Sequence, residues 1–258
     1  MPLRDKVEKS MLAIIGGSGM TKLACLEISH RQIVRTPYGE PSGPLTFGKI
    51  HDQEIVFLAR HGHGHTIPPH AVNYRANLWA LHLFKPKKVI AVVSVGGIRA
   101  DLIPGRVVVP DQIIDYTYGR NFTYFDNTDR PITYTDFTYP FCLDTRNYLL
   151  TAAREANENI IDGGVYAVTQ GPRLETAAEV NRLERDGADM IGMTGMPEAV
   201  LAKELGLPYA AIAAVANYAA GRGTSVRAIP LEEVYAVLEN AMVSVRNILE
   251  HLVKINDD

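Results

Sequence analysis

The sequence predicts an α/β fold whose central sheet, parallel or mixed, is flanked by helices. Three observations carry this expectation. Short apolar runs alternate with segments of helical periodicity along the whole chain. One run, Lys88–Val95, is almost continuously apolar, as a strand covered on both faces should be. Several runs end abruptly in glycine or polar residues, where open α/β sheets place their ligand crevice. At 258 residues and 47% hydrophobic content, the chain can build one large domain with a sizeable core.

Residues 1–10 are charged and lack an apolar segment, which argues against a signal peptide. They are expected to form a disordered extension, with one domain over 11–258. Leu12–Ile15 reads as a strand that ends in Gly16-Gly17-Ser18-Gly19. Glycines there let backbone N–H groups approach an anion, and Ser18 adds a hydroxyl. The spacing is neither the dinucleotide fingerprint nor a P-loop, and a plain tight turn is an equally good account. Thr36–Ser42 is a loop by composition. Glu54–Ala59 is a strand that runs directly into Arg60-His61-Gly62-His63-Gly64-His65. Arg60 offers a planar fork to a phosphate, and His61 can donate to the same anion. Alternating histidines also fit a metal-hydrolase loop built on His61, His63 and His65, although no clear set of carboxylate ligands flanks them.

Ala71–Leu83 has helical periodicity, with His70 and Asn73 as capping candidates at its entrance. Lys88–Val95 follows, and Ser94-Val95-Gly96-Gly97 reads as a second strand-to-glycine turn. Val107–Pro110 is a strand. Asp115–Tyr139 has no period, and a loop of that length inside a domain is usually functional or covers a neighbour. A helix over 143–158, a strand over Gly164–Thr169 and a helix over 176–186 come next. Glu175, at the start of that helix, suits its positive end. Met190–Met193 reads as a strand broken at Thr194-Gly195, and Pro197-Glu198 starts a helix to Leu205. Tyr209–Ala216 is a very apolar strand ending in Asn217-Tyr218-Ala219, and an amphipathic helix spans 231–253.

The net charge of −3 gives no electrostatic footprint for nucleic acid or a membrane surface. No apolar run approaches the ~18 residues of a membrane helix. Cys25 and Cys142 are too few and too far apart for a disulfide framework, so a reducing, cytoplasmic setting is expected. If the strand ends meet, Ser18, Arg60, His61, Ser94, Thr194 and Asn217 form one site, with an anion at one end and an amide at the other.

Gly16–Gly19, Arg60-His61-Gly62, Val72–Asn77, Gln170-Gly171-Pro172-Arg173 and Met193–Glu198 occur in that order. Together they resemble the methylthioadenosine/purine nucleoside phosphorylase family. The resemblance implies a purine/uridine phosphorylase-like fold, a pentosyltransferase activity using inorganic phosphate as co-substrate, a homotrimer, and no metal or other cofactor. It assigns phosphate to Ser18, Arg60, His61, Val93, Ser94 and Thr194, with Met193 beneath ribose and base. Asn217 and Ala219 fall where the family reads the purine edge, and Asn217 and His61 are the expected catalytic groups.

The chain departs from the adenine-specific pattern in two places. It has Asn217-Tyr218-Ala219 where that pattern looks like Asp-Tyr-Asp, and Glu175 where a small hydroxyl residue is typical. An amide both donates and accepts, so Asn217 can donate to a purine O6 and accept from N7–H. Glu175 can accept N1–H. A mismatched donor–acceptor pattern is strongly rejected, so a hypoxanthine-type base is expected over adenine. Residues 224–236 contain no His, and Val226, Ile229, Leu231 and Val234 are apolar. If Leu231 and Val234 face the site rather than the core, they suit a 5′-methylthio group better than a hydroxyl. His65, and Tyr134 from a neighbouring subunit, are further candidates for that end. The expected reaction is phosphorolysis of S-methyl-5′-thioinosine to hypoxanthine and 5-methylthioribose 1-phosphate. The alternatives are an adenine-preferring or broader purine phosphorylase of the same fold, and the His-loop metal hydrolase.

Overall fold

Eleven strands and five α-helices are formed among the residues that the computed structural model describes, 11–126, 129, 131–229 and 231–255. The expected extension over 1–10 lies outside them. The strand order is β2(Glu27–Gln32), β3(Leu45–Ile50), β4(Gln53–Ala59), β1(Met11–Gly16), β5(Lys88–Gly97), β10(Met190–Gly192), β9(Val165–Val168) and β7(Gln112–Asp115). The other edge of β5 carries β11(Tyr209–Tyr218), followed by β6(Val107–Val109) and β8(Ile160–Asp162). Parallel and antiparallel pairs coexist, so the sheet is mixed.

Side chains alternate across β5 and divide the core. Ala91, Val93 and Val95 pack with α1(Tyr74–His82) and α4(Gly195–Glu204) on one face. Ile90 and Val92 pack with α2(Leu143–Glu155) and α5(Leu231–Leu252) on the other. The remaining helix, α3(Ala177–Arg185), covers the β9–β10 side through Val180 and Leu183.

β5 positions the site. β11 runs along one of its edges from Tyr209↔Val89 to Tyr218↔Gly97. β1 pairs with the opposite edge only as far as Ile15↔Ala91, and β10 joins antiparallel at Ile191↔Gly96. Between those two pairings, no strand among the described residues pairs with Val92–Val95 on that edge. The open edge is a crevice at the carboxyl end of β1.

Three sequence expectations change in detail. Ser94–Gly97 is not a turn, because β5 continues through Gly97. Gly97 is there because a Cβ would collide with the Leu102 backbone. α1 starts at Tyr74, with Asn73 as its cap accepting from the Ala76 N–H at 3.1 Å, while His70 sits in a preceding 3-10 turn. Glu175 does not cap α3; Thr176 and Glu179 form a reciprocal capping box there.

Candidate active site

The turn after β1 brings Ser18 to the crevice, and β4 delivers Arg60 and His61 beside it. The Arg60 N–H continues the β1–β4 ladder by donating to the Gly16 carbonyl at 2.9 Å. Val93 and Ser94 come from the open edge of β5, and Met193 and Thr194 from the turn between β10 and α4. A β-bulge in β11 places Asn217 rather than Ala216 opposite Gly96, so Ala216 and Asn217 both reach the cavity. Glu175 enters from the β9–α3 loop, and Leu231 and Val234 from the first turns of α5. His65 and Ala219 complete this set around one cavity of about 410 Å³, a volume within the range of small-molecule sites. Tyr134 is not brought there: it is 88% exposed and lies outside its own chain's cavity. Val234 also packs against the core cluster under α5, so its side chain serves both core and wall.

Charge is concentrated at one end. Arg60 is fully enclosed and bonded side-on to Glu198, with Nε donating to Oε2 at 2.6 Å and Nη2 to Oε1 at 2.8 Å. Its Nη1 donates to the Val92 carbonyl at 3.0 Å. Tyr209 donates its hydroxyl to Glu198 Oε1 at 2.9 Å. Glu198, legible in the sequence only as a helix-start acid, is therefore a buried ion-pair partner. His61 Nδ1 bonds the Ile67 carbonyl at 2.8 Å, which leaves Nε2 as the second polar atom of the ring. Burial first, and the neighbouring Arg60 cation second, push the His61 imidazole down to about 4. The Ser18 hydroxyl and His65 Nε2 are 3.5 Å apart.

The amide end is less saturated. Asn217 Nδ2 donates to the Tyr218 carbonyl at 2.6 Å, which uses one of its two N–H groups. Thr169 donates to Glu175 Oε1 at 2.6 Å. Burial raises the Glu175 carboxyl above its ordinary range, and the Thr169 bond opposes that shift. Gly171 holds a φ of +60°, and a Cβ on it would run into the Met193 thioether, so glycine there lets Met193 lie flat.

Sequence reasoning missed Arg120, in the long loop before α2. Its guanidinium donates to the carbonyls of Met193 at 2.9 Å, Gln170 at 2.8 Å and Thr169 at 3.2 Å, and also to that of Met196. It fastens the ends of β9 and β10 to one another. No local pattern marks such a residue, because its partners are distant in the chain. Of the metal-loop residues, the His61 and His65 rings lie tilted to one another with centroids 4.9 Å apart, and His63 and His65 are both exposed. Among the described residues no three His, Cys, Asp or Glu side chains converge as a metal site would require.

Arg60, His61, Thr194, Asn217 and Glu175, which the sequence reading expected at one site, line one cavity. The chain belongs to the phosphorylase superfamily, whose profile matches residues 11–254. It is an enzyme of the pentosyltransferase class expected from its sequence. A protein from Pseudomonas syringae named as a probable S-methyl-5′-thioinosine phosphorylase is 48% identical over 237 residues, 92% of this chain and 96% of its own. The 6-oxopurine nucleoside phosphorylase of Pyrococcus furiosus is 45% identical over 215 residues, 81% of this chain and 80% of its own. Among solved structures, methylthioadenosine phosphorylase from Schistosoma mansoni in complex with adenine superposes with a TM-score of 0.90 at 34% identity, covering 95% of this chain and 91% of that one.

Proposed function

We propose that this chain phosphorolyses S-methyl-5′-thioinosine to hypoxanthine and 5-methylthioribose 1-phosphate, a purine-salvage reaction. The observation that carries the reading is the pairing of Asn217 and Glu175 in one cavity with an apolar wall and an Arg60-bearing oxyanion end. The relatives named for methylthioinosine and 6-oxopurine substrates support it.

In this reaction a phosphate oxygen forms a bond to C1′ as the C1′–N9 bond breaks. The bonding pair passes into the purine, and N7 takes up a proton from solvent, balanced by the proton that the attacking hydrogen phosphate releases. Ser18, Arg60, His61, Ser94 and Thr194, with the Val93 backbone, hold the phosphate beside the cation-like anomeric carbon. The remaining Asn217 N–H donates to O6, and its Oδ1 accepts from N7–H, where charge develops. Glu175 accepts N1–H through the oxygen that Thr169 does not use. Met193 lies under ribose and base, Ala219 leaves room at the purine edge, and His65 borders the ribose. Leu231 and Val234 cover the 5′-methylthio group, where a buried hydroxyl would lack a partner. Metal and organic cofactors have no part in this chemistry. The working unit is a cytoplasmic homotrimer in which Tyr134 of a neighbour approaches the 5′ end.

A substrate panel with and without inorganic phosphate tests the reading: methylthioinosine, methylthioadenosine, inosine and adenosine. Turnover should require phosphate and be fastest with methylthioinosine. Faster phosphorolysis of methylthioadenosine would refute the roles of Asn217 and Glu175, and base release without phosphate would indicate a hydrolase.

A further inference from the structure

Arg60 poses a problem that its neighbours resolve. A guanidinium has five N–H donors. Two are taken by the Glu198 oxygens and one by the Val92 carbonyl. The side-on clasp occupies the Nε–Nη2 edge, so one hydrogen on Nη1 and one on Nη2 remain. These two are the donors left for an anion, and Arg60 lines the cavity. Val92 is the first residue of β5 beyond its pairing with β1, so it anchors Nη1 at the start of the open edge.

The clasp is expensive to build. Removing two charges from water is often not repaid by their attraction, so such a pair is weak evidence of a stabilising device. Here carboxylate and guanidinium are both fully enclosed. The carboxylate is itself fixed by Tyr209 at the start of β11. It also lies four residues after Thr194, another residue lining the cavity.

We propose that Glu198, held by Tyr209, is a positioning residue for phosphate: it fixes the Arg60 guanidinium so that its remaining Nη donors are held at the oxyanion. The proposal rests on the reading that phosphate occupies this end of the cavity. It makes a prediction opposite in sign to simple charge balance. Were Glu198 only offsetting the Arg60 charge, removing its negative charge would strengthen the cation facing the anion and tighten phosphate binding. As a positioning residue, its loss lets the guanidinium rotate and weakens binding.

The test titrates inorganic phosphate calorimetrically into the full-length wild type, Glu198→Gln and Tyr209→Phe, and measures KM separately for phosphate and methylthioinosine. Glu198→Gln should weaken phosphate about tenfold or more, the scale of a charge-assisted contact, with the nucleoside KM within about twofold. Tyr209→Phe should move phosphate in the same direction by about threefold, the scale of one neutral hydrogen bond. Unchanged or tighter phosphate binding in Glu198→Gln overturns the proposal. So does a nucleoside KM that rises in step with the phosphate KM. Should Glu198→Gln not fold, Tyr209→Phe decides, and an unchanged phosphate affinity in it overturns the proposal. A wild type that neither binds phosphate nor needs it for turnover would instead remove the functional reading itself.

Discussion

At one end of the cavity Arg60 is fully enclosed and already bonded to Glu198 and Val92, whereas at the other Leu231 and Tyr235 stand 57% and 67% exposed on the first turns of α5. The first end is assembled from strand ends and the open edge of β5. The second is an apolar helix face with few fixed partners. The contrast follows from what the proposed reaction asks of each end. Stabilising developing charge requires donors already aimed in a dry site, since reorienting dipoles during the reaction costs energy. Choosing a methylthio group over a hydroxyl requires only an apolar surface that offers the hydroxyl no partner.

The largest effect expected from this contrast is at Arg60. Arg60→Ala leaves the Glu198 carboxylate buried and uncompensated, which should destabilise the fold by about 3–5 kcal/mol. The double variant Arg60→Met, Glu198→Leu replaces the pair with apolar groups and should recover most of that stability while phosphate binding stays lost. Denaturant unfolding and phosphate titration of both variants check this. A double variant as unstable as Arg60→Ala would show that the enclosure is needed for folding rather than for the anion.

How much of the site could be read from the sequence follows the same division. Ser18, Arg60, His61, Thr194 and Asn217 were legible because each directly follows an apolar run that breaks in a short polar or glycine turn. Their supports were not. Glu198 and Arg60 are 138 residues apart in the chain, and Arg120 reaches Met193 across 73. Only the tertiary fold makes them neighbours. The strand β2 is exposed along its whole length, and β8 has three residues, so neither shows an apolar period. Leu231 and Val234 were ambiguous because an amphipathic helix shows one apolar face whether it covers a core or a ligand.

A smaller effect should separate the two ends by pH. His61 in the fold stays neutral down to about 4, below its ordinary 6.5. Between those values the unfolded chain binds a proton that the folded chain does not. Stability should therefore fall as pH drops from 6.5 towards 4, with His61 contributing about 2 kcal/mol. Urea unfolding across that range should show a shallower slope for His61→Asn than for the wild type. Saturating phosphate should also flatten the wild-type slope, because an anion beside the ring favours its protonation. Equal slopes in all three cases would separate His61 from the oxyanion end.

The smallest effect is expected at the apolar end. Val234 lines the cavity while packing on the core beneath α5, so replacing it perturbs a surface rather than a charged network. Val234→Ser removes apolar contact from a methylthio group and offers a 5′-hydroxyl a partner. The two changes together should lower the ratio of kcat/KM for methylthioinosine to that for inosine by about tenfold, the scale of small-group discrimination in an apolar pocket. The phosphate KM should not move, because distant sites without shared partners act nearly independently. Combined with Tyr209→Phe, the two changes should add, one in the nucleoside ratio and one in phosphate affinity. If Val234→Ser alters phosphate affinity instead, the ends are coupled through α5, and the division between a preset charged floor and an adaptable apolar wall does not hold.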